Sequence, residues 1–169
     1  MILKTNRHIS KWLLPIAGFI SLTLFLTHDY YRFQIPATQI ISHILAANPL
    51  QYSQVSTSPY GYILTPQYIH RISFHSGGII SQIAFLLAFN PQARAVTYWN
   101  HVFLRSPDLI SNVPLVAHEL VHTVQYQFPH LSYHIARYLW YYFAQGYESV
   151  PYEQEAFKFQ LLIIQALSD

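Results

Sequence analysis

Residues 115–126 read LVAHELVHTVQY, and within them His118, Glu119 and His122 spell HExxH. On an α-helix, residues four apart share a face, so both imidazoles can reach a single metal ion. Glu119 falls beside them, where it can hold a water next to the metal and take its proton. The plain alternative is an amphipathic helix with one surface charge and two buried histidines.

The flanks fit a helix. Ser111 and Asn112 offer a cap, Pro114 suits the first turn, and Pro129 marks the stop. Before it, Ala95 to Leu104 (AVTYWNHVFL) is rich in β-branched and aromatic residues and predicts one strand, ended by Ser106-Pro107-Asp108. Ser76-Gly77-Gly78 breaks the chain, and Ile79 to Phe89 predicts a core helix closed by Asn90-Pro91. That helix is too short to span a bilayer, which needs about twenty residues. Leu131 to Ala144 predicts an aromatic helix closed by Gly146, and Ser149 with Pro151 opens a last helix over Tyr152 to Leu167. Nearer the N-terminus, Gln34 to Leu50 predicts a short amphipathic helix after Pro36, ended by Asn48-Pro49. Gln51 to Pro66 is polar and predicts a loop or linker, with Tyr52, Tyr60 and Tyr62 suited to surface packing.

A chain of 169 residues is one domain's worth, with room for an appendage. Only 9% of it is charged, against roughly 25% in an average soluble domain, and 52% is apolar. Such a composition argues against disorder and suits a compact body that meets a membrane or a partner. The formal charge is only +2 and the N-terminus supplies the excess: Lys4, Arg7 and Lys11 precede any acid and the later charges nearly cancel, so there is no basic nucleic-acid footprint. Cysteine is absent, which excludes disulfides, thiolate ligands and a cysteine nucleophile. Any metal must then be held by His, Glu or Asp, a donor set suited to catalytic zinc.

Residues 1–11 form a basic head, and Trp12 to Thr27 follows without a charge. The expectation is a transmembrane or signal-anchor segment over 12–27, with the N-terminus cytoplasmic and the rest of the chain outside. No small-x-small cleavage site follows closely, which favours an uncleaved anchor over a form secreted after cleavage. Tyr30, Tyr31 and Phe33 would then form an interfacial aromatic belt. The expected organisation is a helix and linker over 28–66 and the catalytic domain over 67–169.

A catalytic zinc needs a third protein ligand, and the chain offers Glu148, Glu153, Glu155, His130 and His134 downstream of His122. His130 and His134 are themselves four apart, but no glutamate lies between them and the chain is turning after Pro129. His70 and His75 flank an apparent strand and point to opposite faces. Gln125 lies one turn past His122 and either supports a ligand, lines the cleft or faces solvent.

The order RAVTYWNHVFL, LVAHELVHTVQY, an aromatic helix and PYEQEAF resembles a group of small bacterial HExxH proteins regarded as zinc metallopeptidases. They share an HExxHxxQ helix and a later ExEA motif, and some are associated with contractile injection systems. The matching residues are His118, Glu119, His122 and Gln125, then Glu153, Glu155 and Ala156, across roughly Arg94 to Phe159. The resemblance implies a minimal thermolysin-like (gluzincin) α+β fold, mainly helical with a small sheet. It also implies one zinc on His118, His122 and Glu153, with Glu155 in support or as the alternative ligand. In that fold the strand before the metal helix typically edges the cleft, so Ala95 to Leu104 would either pair with an extended peptide or be an ordinary core strand. The expected activity is hydrolysis of peptide bonds with Glu119 as general base. An oxyanion stabiliser is also needed, and Tyr147 and His134 are candidates by position. The rival readings are a catalytically silent zincin-like scaffold for a membrane or protein partner, and an apolar interaction module without metal.

Overall fold

The computed structural model describes residues 7–88, 90, 92–127, 131–146 and 149–168, leaving aside the side chains of 7–14, 16, 131–135 and 137–138. In chain order the elements are α1 (Arg7–Arg32), β1 (Gln34–Ile35), α2 (Ala37–Ala47), α3 (Ser53–Thr57), α4 (Pro66–Ile69), β2 (Ser73–Ser76) and α5 (Gly78–Leu87). They continue with β3 (Ala95–Tyr98), β4 (His101–Leu104), α6 (Val113–Gln125), α7 (Leu131–Gln145) and α8 (Pro151–Ser168). The architecture is α+β, mainly helical around a small mixed sheet.

The strands lie in the order β1-β2-β4-β3. The stretch from Ala95 to Leu104, expected as one strand, is a hairpin. Ala95 pairs with Leu104 and Tyr98 with His101, and the chain reverses at Trp99 and Asn100. Trp99 takes a left-handed backbone (φ 52°), which a tight two-residue turn requires. β4 then runs parallel to β2, and β3 becomes the edge strand. Alternation along the hairpin splits the side chains between two layers. Ala95, Val102 and Leu104 face the main core, whereas Val96 and Phe103 pack with Ala84 of α5 on the other side.

The main core is built by α6 and α8, which pack chiefly on each other. α6 contributes Val113, Val116, Ala117, Leu120 and Val121, and α8 contributes Ala156, Phe159, Ile163 and Ala166. The α8 spacing of three and four residues is one helical stripe. Glu153 begins that stripe, so the periodicity that buries Ala156 also turns Glu153 toward α6. Residues 28–66, expected as a helix and linker, supply Ile35, Ile40, Ile44, Val55, Ile63 and Leu64 to the same core. The polar stretch 51–66 is thus folded into short helical turns that bury their few aliphatic residues.

The N-terminal segment departs from expectation. α1 is a continuous helix, yet among the described residues no helix is long and apolar enough to cross a membrane. Trp12 to Thr27 spans sixteen residues, about 24 Å at 1.5 Å per residue, against a hydrocarbon core of about 30 Å. The residues expected at an aromatic belt divide: Tyr31 is exposed, but Tyr30 and Phe33 pack on the domain. Asp29 is buried and accepts from the Ile80 N–H at 3.1 Å, capping α5. Gly78 makes this possible: its φ is +75°, and a side chain there would meet the Asp29 carboxylate at 2.6 Å.

Candidate metal centre

The site helix starts where the sequence indicates. Asn112 accepts from the Leu115 N–H at 3.1 Å, and Pro114 occupies the first turn. From there the helical repeat places His118 and His122 side by side, with Nε2 atoms 3.1 Å apart. Glu153 Oε2 of α8 lies 3.4 Å from His118 Nε2 and 3.5 Å from His122 Nε2. The three side chains form a group that could hold a metal ion. An ion about 2.0–2.1 Å from each donor in tetrahedral geometry would space the donors about 3.3–3.4 Å apart. The observed triangle fits that spacing.

The donor chemistry fits as well. Burying a carboxylate is costly unless positive charge compensates it, and Glu153 is only 4% exposed with two imidazoles within 3.5 Å. Two imidazole nitrogens directed at each other can share one proton at most. A cation at the convergence satisfies all three groups. His118 has a second indication: its Nδ1 is buried without a hydrogen-bond partner, which leaves Nε2 as the working end of the ring. That ring is held edge-on against Phe157 of α8, centroids 4.6 Å apart.

His122 is fixed by Gln125. His122 Nδ1 donates to Gln125 Oε1 at 2.7 Å, which leaves the Nε2 lone pair for a metal. Gln125 Nε2 in turn donates to the Tyr152 carbonyl at 3.1 Å and to Glu155 Oε2 at 3.0 Å. Burial by itself would lower the His122 pKa, but the Glu153 carboxylate, helped by Glu119 and Gln125, holds it up to about 9. Glu155 is exposed and one link removed from the imidazole: it meets Gln125, and it accepts from the Tyr60 hydroxyl. Burial and then that carboxylate push the Tyr60 pKa well above the usual phenol range.

Glu119 is buried next to this group. Its Oε2 accepts from Thr97 Oγ1 of the edge strand at 2.7 Å. A buried carboxylate with one short hydroxyl donor keeps a fixed position and a free oxygen. Thr97 carries no chemical signature in the sequence, because a threonine in a strand reads as β-propensity alone.

Among the candidate third ligands, the structure brings Glu153 to the histidines and places Glu155 behind Gln125. His130, Glu148 and Tyr147 lie outside the described residues, as does the side chain of His134. His70 is exposed and His75 buried, on the sheet face away from the site.

Fold and site together define a small α+β protein with a His-His-Glu group, buried at His118 and Glu153 and half-buried at His122, and a neighbouring buried glutamate. A family model described as the eCIS core domain, a family linked to extracellular contractile injection systems, matches residues 70–129. The matched block runs from the end of α4 through α6, so it includes His118, Glu119, His122 and Gln125 and stops before α8. No metallopeptidase family model accompanies that match. No curated protein and no solved structure matches the chain.

Proposed function

We propose that this protein is a zinc-dependent peptidase of the gluzincin type, acting on peptides or proteins. The observation that carries the reading is the triangle of His118 Nε2, His122 Nε2 and Glu153 Oε2, with sides of 3.1–3.5 Å, beside a buried Glu119. A site that only needed rigidity would have no use for a desolvated carboxylate next to its ligands.

His118, His122 and Glu153 would hold the metal and leave one position open. Zinc, when bound, polarises a water and the substrate carbonyl. Glu119 accepts the proton of the attacking water and returns it to the leaving amine. Thr97 keeps the Glu119 carboxylate in place, and Gln125 keeps the His122 ring in the tautomer that frees Nε2. β3 is the edge strand next to this centre, so an extended peptide could add to it as a further strand.

The test is zinc content of the full chain, followed by cleavage of a mixture-based peptide library. One zinc per chain, lost in His122→Ala, together with new peptide termini that vanish in Glu119→Gln, is the expected result. A folded protein that takes up no zinc would overturn the proposal. The eCIS core match favours one second reading, a catalytically silent scaffold within an injection-system assembly. In that case zinc binds but Glu119→Gln and the unaltered chain behave alike.

A further inference from the structure

The chemistry proposed above leaves one task unassigned, the stabilisation of the carbonyl oxygen as it gains negative charge. The geometry points to Tyr126 as the donor for that oxygen, an inference that rests on the peptidase reading. Tyr126 stands four residues after His122 and seven after Glu119, so all three project from one stripe of α6. Long side chains on a helix lean toward its N-terminus, which carries the Tyr126 hydroxyl back toward Glu119 and His122.

The surroundings hold the ring and leave the hydroxyl free. Tyr98 and Trp99, at the end of the edge strand and its turn, flank the Tyr126 ring at centroid distances of 6.5 and 6.2 Å. Tyr126 thus bridges the end of α6 and the edge where an extended peptide would lie. Three other tyrosines around the site have their hydroxyls engaged: Tyr60 with Glu155, Tyr68 with Thr123, and Tyr98 with the Ala84 carbonyl. The Tyr126 hydroxyl has no hydrogen-bond partner among the described residues. Its electrostatics agree with its position. Burial, then Tyr98 and the charges of Glu153 and Glu119, push its pKa up to about 12, so it stays a protonated donor at neutral pH. No proton leaves the phenol in this role; the hydrogen bond it donates shortens as the oxygen gains charge, while Glu119 handles the transferred proton.

The test compares the unaltered full chain with Tyr126→Phe, which keeps the ring and its packing and removes the hydroxyl. On one peptide identified from the library, kcat should fall about 10²-fold with KM nearly unchanged, the size typical of a lost oxyanion donor. The inhibition constant of a phosphinic analogue of that peptide should weaken by a similar factor. Zinc affinity should not move. Cleavage at the unaltered rate, a loss confined to KM, or a loss of zinc would each overturn the assignment to Tyr126. A starting protein that binds zinc and cleaves nothing would instead overturn the peptidase reading, and this inference with it.

Discussion

Two histidine pairs in this small protein behave in opposite ways. His118 and His122 stand on one helix and share the Glu153 carboxylate. His75 and His101 stand on neighbouring parallel strands, with ring centroids 6.1 Å apart, among Tyr30 and Phe103. Burial acts in the same direction on His75 and His122, against the charged form. At His75 no carboxylate opposes it: burial and the neighbouring His101 outweigh a hydrogen bond with Tyr30 and lower the pKa to about 4. At His122 the carboxylate prevails and the value rises to about 9. The presence of an anion, more than the depth of burial, decides whether such a pair suits a cation or neutral packing.

The sharpest way to break this comparison is to remove the anion. Glu153→Gln should weaken zinc binding by about 10³-fold, since a ligand and its charge are both lost. His75→Phe should leave the affinity unchanged. Competition with a chelator measures both, and equal losses would erase the distinction.

Next in size is the response of the metal-free protein to pH. His75 is held below its unfolded value of about 6.5, so its contribution is full above that pH and is lost as pH falls toward 4. Metal-free His122 is the mirror case: its contribution is full below about 6.5 and is lost as pH rises through 9. Denaturant midpoints should therefore peak between the two, with each limb falling by roughly 1 kcal/mol per pH unit. His75→Phe, whose ring can still stack on Phe103, should flatten the acid limb, and Glu153→Gln the alkaline one. The assignment of the limbs would be wrong if the two variants exchanged effects.

A smaller effect sharpens the comparison within the first pair. Gln125→Leu removes the acceptor that fixes the His122 tautomer and should weaken zinc binding by roughly 10–100-fold. Isothermal titration would detect it, and wild-type affinity would mean that Gln125 only packs. The smallest effect lies at the second pair. Tyr30→Phe removes a 3.3 Å hydrogen bond to His101 and should cost about 0.5–1.5 kcal/mol of stability, read from urea unfolding.

Legibility followed physical range. The spacing of His118, Glu119 and His122, the Asn112 cap and the Gly77-Gly78 break are local features, and each lies where the sequence indicates. Glu153 was readable only through the resemblance, although the α8 stripe that buries Ala156 and Phe159 already contained it. The hairpin is not legible because AVTYWNHVFL has the composition of one strand. Asn100 was its only turn-forming residue, and Trp99 is an unusual occupant of a left-handed position. Thr97 and Tyr126 gave no signal, because their roles depend on how a strand edge meets a helix. The run over 12–27 looked like a membrane segment by local hydropathy; nothing local revealed that Asp29 just after it caps α5.

The distance along the chain between His122 and Glu153 has a consequence in polymer terms. An ion shared by these residues would act as a reversible cross-link that closes a ring of about thirty residues. Closing such a ring removes about 3–4 kcal/mol of conformational entropy from the unfolded chain. α7 lies wholly within the ring, and its Trp140 and Phe143 are 70% and 73% exposed. A molecule that gripped this exposed aromatic pair would therefore pull on a segment whose two ends the ion would tie together.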